Sequence, residues 1–402
     1  MIHDENVKYR FATETLMLKN TKNKNNVVFG ILKEYRHDEH RIPLTPSAVK
    51  KLVDDGNVVL VQKGAGNAAG FNDTSFSEAG ALITDSKEEI LNSDVLLKIF
   101  PPEKEEIEMM KNNAVLLSSL CLHQTQKSYL QHLSSKRITA ISYELIQGKE
   151  THFPLLYAMS EIVGQLVVLI AASYLCDSKW GCSTLTGAIA GLPPIDVVVI
   201  GSGTVALNVC RVALGLGCRV SVFDTLTDRL RKLSNTFNNN IFTYMYDQDV
   251  LTKLLTDTEI LVCAKHTSDF RSPLLVKESM VQQMKDGSVL VDVSIDQGGC
   301  CETSIMTTHS SPVFSKYGVT HYCVPNIASK VSHTASMSIS NILVNEMLCL
   351  GRNGINGLLQ FNDGFAKGVY MYNGKLTNRK IGDMLALPYK PLELFLPSFH
   401  DS

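Results

Sequence analysis

The sequence predicts an α/β protein built from two parallel sheets, each flanked by helices. Three observations carry this. From Val27 onward, short β-branched apolar runs alternate with amphipathic stretches, the pattern of strand–helix–strand units. A Gly/Ser/Pro-rich passage at 178–194, SKWGCSTLTGAIAGLPP, interrupts the alternation, and a second alternating set follows it. The chain has 402 residues, 45% hydrophobic and 19% charged, enough for about two or three domains with substantial cores.

In the first set, VVFGIL (27–32) reads as a strand. TPSAVKKLVDDG (45–56) reads as a helix, with Thr45 as N-cap, Pro46 at the first helical position and Gly56 past the end. VVLVQKGAG (58–66) is a strand, and SKEEILNSDVLLKIF (86–100) a helix followed by a strand. NNAVLLSSL, the helix-like TQKSYLQHLSSK and ITAISYEL complete the set. The longest apolar run, 161–175, begins with Glu161 and contains Gln165, so it reads as a buried helix rather than a membrane span. In the second set IDVVVIGSG is a strand, TVALNVCRVALGLG a helix and CRVSVFD a strand. TDRLRKLSNTF is a helix, and TEILVCAK and GSVLVDVSID are strands, the last running to Asp296. Residues 332–351 return to helix, and a mixed tail ends the chain.

The totals also exclude some functions. A formal net charge of -2 provides no global field toward nucleic acid or a membrane. The expected partner is a small molecule. Ten cysteines lack any CxxC or paired-ligand spacing, so reduced thiols and no metal site are expected. The first 26 residues are polar and lack the apolar core of a signal peptide, which leaves the cytoplasm as the default.

One motif has strong context. Gly201 and Gly203 follow a strand and open a helix as G-x-G-x-x-A, with Ala206 in the last place. The first glycine permits a tight turn, and the second lets a pyrophosphate approach the backbone. Thr204 and Val205 begin the helix, whose N–H groups favour an anion. Asp224 ends the next strand where a ribose-binding carboxylate falls, and such an acid favours NAD over NADP. Four further residues are candidates, each with an ordinary alternative. Arg41 precedes a helix and equally suits a surface loop. Lys98 interrupts an apolar strand, where it reaches either solvent or a ligand crevice. Asp296 stands before Gly298 and Gly299, either at a plain turn or on the floor of a site. Asn326 follows Pro325 and suits an ordinary turn.

From Val27 to Phe399 the chain resembles the alanine dehydrogenase family, which is related to the substrate-side subunit of nicotinamide nucleotide transhydrogenase. The runs GILKEYRHDEHRIPLTPSAV, SDVLLKIFPP, PLLYAMSEIVG, VVVIGSGTVALN, VDVSIDQGGCCETS and THYCVPNIAS carry the resemblance, in order. It implies two Rossmann-like domains. An NAD domain (161–327) would be inserted into a discontinuous substrate domain (27–160 and 328–402), after an extension (1–26). It further implies Arg41 and Lys98 as the grip on a substrate carboxylate and Asp296 as the acid beside the reacting carbon. Asn326 would line the cleft, and Ser160 would contact the cofactor. The implied reaction is NAD-dependent interconversion of a small L-amino acid, such as alanine, with its 2-oxo acid and ammonia, by a homo-oligomer (hexamer or dimer).

The chain also departs from the family. Cys121 aligns with the family's acid–base histidine, and His123 lies two residues on. Three readings stand: His123 substitutes; Asp296 acts with Cys121 or water on a different 2-oxo acid or imine; or the chain binds NAD with a regulatory or scaffold role. The segment HTSDFRSP after TEILVCAK replaces a longer glycine-containing loop.

Overall fold

The computed structural model describes residues 26–36, 38–121, 125–148, 153–265 and 272–396. The extension therefore lies outside the described residues, as does His123. The first sheet contains β1 (Val28–Ile31), β2 (Val58–Gln62), β3 (Leu82–Thr84), β4 (Val95–Leu97), β5 (Val115–Ser118) and β6 (Thr139–Ser142). The second contains β7 (Asp196–Ile200), β8 (Arg219–Asp224), β9 (Phe242–Met245), β10 (Ile260–Cys263), β11 (Val289–Asp292), β12 (Val313–Lys316) and β13 (Val319–Tyr322). The chain then returns to the first sheet with β14 (Val369–Tyr372) and β15 (Lys375–Leu376).

The strand orders are β15-β14-β6-β5-β4-β1-β2-β3 and β12-β13-β11-β10-β7-β8-β9. Both contain the doubly wound order 3-2-1-4-5-6, which opens a ligand crevice at the carboxyl ends where the winding reverses. In the first sheet that point lies between β1 and β4, and in the second between β7 and β10.

Central strands are apolar on both faces. Val197, Val198, Val199 and Ile200 are each 1% exposed or less, as expected where helices cover both sides of a parallel sheet. Full burial of each such side chain contributes roughly 1.5–3 kcal/mol. One edge of each sheet is antiparallel: β12 pairs with β13, and β14 with both β15 and β6, while the opposite edge strands β3 and β9 pair parallel. Tight turns explain the two hairpins. Asn373 and Gly374 both have positive φ (48° and 75°), the mirror-image turn whose twist suits a two-residue hairpin.

Two helices join the lobes. Helix Pro154–Cys176 packs on helix Thr204–Gly215 and on Ser332–Phe361. The first crossing is close: a Cβ on Gly164 would lie 2.5 Å from the Val205 carbonyl oxygen. Its outward side is less buried than the apolar run implies, with Leu169 54% exposed. Helix Ser332–Phe361 passes the expected stop at Gly351 and kinks at Gly354 instead (φ 67°, ψ 178°). Strand β11 ends at Asp292 rather than Asp296, because the chain turns into a 3-10 segment at Ile295–Gln297.

Gly201 has φ 106°, and a Cβ there would sit 2.5 Å from the Ala264 carbonyl oxygen. Gly201→Ala should therefore destabilise the protein by more than ~1 kcal/mol, read as a lower denaturation midpoint. An unchanged midpoint would show that the turn has another conformation.

Candidate functional site

The carboxyl ends of both sheets face one cavity of about 720 Å³. Arg36 and Arg41 line it from the segment after β1, Ile99 and Phe100 from after β4, and Ser119 and Cys121 from after β5. Tyr143 and Glu144 come from the end of β6. From the other lobe come Val205, Val293, Asp296, and Pro325 to Ile327, with Ala328 at the return to the first lobe. Leu155, Met159, Ser160 and Val163 of the connecting helix close one side. The structure thus brings Arg41, Asp296, Asn326, Ser160 and Val205 to one space.

Arg41 is held by a carboxylate that the sequence reading passed over. Its Nε donates to Glu39 Oε1 at 2.8 Å and its Nη2 to Oε2 at 2.7 Å, a bidentate pair of fixed geometry. The Glu39 side chain is fully buried and that of Arg41 is 11% exposed. Burial alone would raise the Glu39 carboxyl. The Arg41 ion pair and its hydrogen bonds outweigh burial and hold the carboxyl below the ordinary carboxylate range. Asn326 Nδ2 also donates to Glu39 Oε2, at 2.6 Å. Asn326 has φ 58°, a left-handed conformation that asparagine tolerates better than most residues. Its lobe is therefore tied to the Arg41 lobe through one acid. A second tie runs from the His309 N–H to Asp38 Oδ2 at 2.8 Å.

Lys98 is not brought to the cavity. It is 3% exposed, and its ammonium lies 3.5 Å from both Glu34 and Glu106. Glu106 is shared with Lys87 at 2.8 Å. Phe100, two residues on, lines the cavity instead, and the Arg36 guanidinium stands 5.0 Å from its ring centre. Arg36 and Arg41 are thus the arginines on the described walls.

Asp296 is exposed within the cavity. Its position depends on Asp292, the acid that actually ends the strand. One Asp292 oxygen accepts the Ser294 N–H (3.0 Å). The other accepts the N–H groups of Cys300 (3.0 Å) and Cys301 (3.3 Å) and the Ser304 hydroxyl (2.7 Å). This buried carboxylate ties the loop on which Asp296 stands. Cys121 lines the cavity, but burial, with Glu144 nearby, pushes its thiol up to about 11. It is a neutral group at physiological pH. Glu144 is occupied with the Leu120 and Cys121 N–H groups and the Ser142 hydroxyl.

In the second sheet, the Gly201–Gly203 turn fits a pyrophosphate on structural grounds. A Cβ on Gly203 would meet nothing within 4 Å, and the helix starting at Thr204 has no side-chain cap on its N–H groups. Val205 begins the same helix and reaches the cavity. Asp224 lies beside the turn, 3% exposed. It accepts the Ser202 hydroxyl at 2.6 Å and the Lys265 ammonium at 2.6 Å. Burial would raise its carboxyl, but the Lys265 and Ser202 hydrogen bonds bring it below the ordinary range. Lys265 has one sign in the residues: a charged side chain just past an apolar strand, in the nucleotide half. Glu39 has one too, two positions before Arg41. The Asp292 knot had no local signal, since its partners lie up to twelve residues away.

Comparison with known proteins agrees with this arrangement. The family description "Alanine dehydrogenase/PNT, N-terminal domain" matches residues 30–163, and "Alanine dehydrogenase/PNT, C-terminal domain" matches 167–379. Alanine dehydrogenase from Staphylococcus saprophyticus is 34% identical over 368 residues, covering 91% of this chain and 99% of that one. The Bacillus subtilis enzyme is 34% identical over 368 residues, covering 91% and 97%. A solved L-alanine dehydrogenase superposes with a TM-score of 0.83 at 31% identity, covering 89% of this chain and 99% of that one. A transhydrogenase from Sinorhizobium meliloti shares the fold, with a TM-score of 0.73 at 21% identity, covering 88% and 100%. With both halves of the chain matched in order and the crevices of two doubly wound sheets facing one cavity, this chain belongs to the alanine dehydrogenase/PNT family.

Proposed function

We propose that the chain is an NAD-dependent amino-acid dehydrogenase that converts L-alanine to pyruvate and ammonia, and catalyses the reverse reductive amination. The observation that carries this reading is the approach of Arg41 and Asp296 to one cavity from opposite sheets, beside the helix that opens at the Gly201–Gly203 turn.

The bound nicotinamide supplies the hydride exchange. The chain's own residues do the rest. Arg41, braced by Glu39, binds the substrate carboxylate, and Arg36 is its second cation in place of Lys98. Two cations on one carboxylate orient the adjacent carbon and lower the barrier entropically. Asp296 takes the amine proton and manages the water that hydrolyses the imine. Asn326 braces Glu39 from the opposite lobe, and Ser160 adds a hydroxyl to the cofactor side. Leu155, Met159 and Val163 exclude water. Gly201, Gly203, Thr204, Val205 and Asp224 would hold the dinucleotide. The lobes of this reading are 27–160 with 328–402, and 161–327. Leu169, exposed on the apolar connecting helix, supports self-association as the oligomeric partner contact. A second reading, a different 2-oxo acid or imine, is favoured by Cys121 on the cavity wall, at the position that aligns with the family's acid–base histidine. Turnover of NADH with ammonia and a panel of 2-oxo acids separates the two, and no turnover with any would contradict both.

Asp296→Asn should lower kcat with pyruvate and ammonia by about 10²–10⁴-fold and leave NADH affinity, read by nucleotide fluorescence, nearly intact. Full activity would remove Asp296 from its role. Because the Cys121 thiol stays protonated until about 11, Cys121→Ser should leave the kcat/KM pH profile unchanged below pH ~10. A moved limb near neutrality would make this thiol the acid–base group.

A further inference from the structure

Two accessible thiols meet at one residue where the connecting helix ends. All ten cysteines are free, and Cys176 and Cys182 are the exposed ones. Cys176 is the last residue of helix Pro154–Cys176. Cys182 follows six residues later, in the glycine-rich passage that leads to β7. Cys176 Sγ donates to the Thr184 carbonyl oxygen at 3.3 Å, and Cys182 Sγ donates to the Thr184 hydroxyl at 3.1 Å.

The backbone between them is a closed turn. The Gly181 N–H donates to the Asp177 carbonyl at 2.8 Å, and the Thr184 N–H returns to the Leu175 carbonyl at 3.2 Å. Asp177 Oδ1 accepts the N–H groups of Lys179 (2.7 Å) and Trp180 (3.0 Å). Gly181 is pressed against the helix end, where a Cβ on it would stand 2.5 Å from the Leu175 carbonyl oxygen. The far side of the turn is anchored to the second sheet. A Cβ on Gly287 would lie 2.7 Å from the Cys182 nitrogen, and Thr320 of β13 donates its hydroxyl to the Trp180 carbonyl. The turn therefore returns Cys182 to the residues beside Cys176, and a bridge needs both sulfurs to leave one shared partner, Thr184. Disulfides join positions whose backbones already lie close.

We propose that Cys176 and Cys182 form a modification site, a dithiol that closes to a reversible disulfide by exchange with a small disulfide such as that of glutathione. One cysteine thiolate attacks a sulfur of glutathione disulfide, breaks its S–S bond and releases one glutathione thiolate. The second cysteine thiolate then attacks the protein sulfur of the mixed disulfide and releases the other glutathione. The two protein thiols are oxidised, glutathione disulfide is reduced, and the two protons pass to the released glutathiones. The bridge clips the end of the connecting helix to the second sheet. The same helix carries Leu155, Met159 and Ser160 to the cavity at its other end. The buried thiols, Cys263 and Cys300 among them, are shielded from the exchange.

The test is peptide mapping by mass spectrometry of the folded full chain after incubation with glutathione disulfide, acid quench and alkylation of the remaining thiols. Wild type, Cys176→Ser and Cys182→Ser are compared. Wild type should lose two thiols and ~2 Da, give the linked Cys176–Cys182 peptide, and recover both thiols with dithiothreitol. Each variant should retain one glutathione on its remaining exposed cysteine. The bridged wild type should melt at a higher temperature than the reduced chain. Wild type that retains two glutathiones overturns the inference, because the sulfurs then do not meet. Neither thiol reacting, or a bridge to another cysteine, overturns it too. A melting temperature that does not rise shows a bridge made by distorting the turn, and likewise overturns it. No arm uses nucleotide or substrate, so the dehydrogenase proposal stands or falls separately.

Discussion

Glu39 is the interaction on which the rest of the site depends. A buried guanidinium without a partner is strongly unfavourable, and breaking such a pair costs about 3–5 kcal/mol. Glu39 meets that requirement with two short bonds to Arg41 and uses the same Oε2 to accept Asn326 from the other lobe. One carboxylate therefore sets the pose of the cavity-lining cation and ties it to the other lobe. Its depressed proton affinity has a defined sign. The stabilisation is present above the ordinary carboxylate range and is lost as pH falls through the lower, folded-state value. Arg41 and Asn326 should loosen together in acid.

The fold delivers the groups that Glu39 organises. Two sheets with the same winding order each open a crevice at their carboxyl ends, and two long helices hold those crevices face to face. The Gly164 crossing fixes the connecting helix against the helix that opens after the glycine turn. Asp292 does for Asp296 what Glu39 does for Arg41: a buried carboxylate, saturated by N–H groups, fixes the loop that presents an exposed one. In both cases a side chain that faces the cavity is positioned by an acid that does not line it.

Much of this was legible in the residues. Apolar runs bounded by glycine marked most strands, because parallel strands buried on both faces need no polar alternation. The glycine turn was legible because a positive φ at Gly201, with the Ala264 carbonyl where a Cβ would stand, restricts the residue type there. The Asn373–Gly374 hairpin had a recognised turn signal but was absorbed into a mixed tail. Lys98 shows where local reading stops. A lysine in an apolar strand signals a partner, but whether that partner is a ligand or two acids depends on Glu34 and Glu106, which only the folded chain brings near. Asp296 was read as a strand end because the apolar run continues past Asp292, and only hydrogen bonds from residues 300, 301 and 304 show why the strand stops earlier.

The central claim, that Glu39 couples Arg41 to Asn326 across the lobes, is tested most directly by a double-mutant cycle. Glu39→Gln and Asn326→Gly, the latter keeping the left-handed backbone while removing the amide, would be measured singly and together for kcat/KM with pyruvate. The expected result is a non-additivity of about 1 kcal/mol or more, with the double variant little worse than Glu39→Gln alone. Losses that simply add would contradict the coupling and leave Glu39 as a partner of Arg41 only.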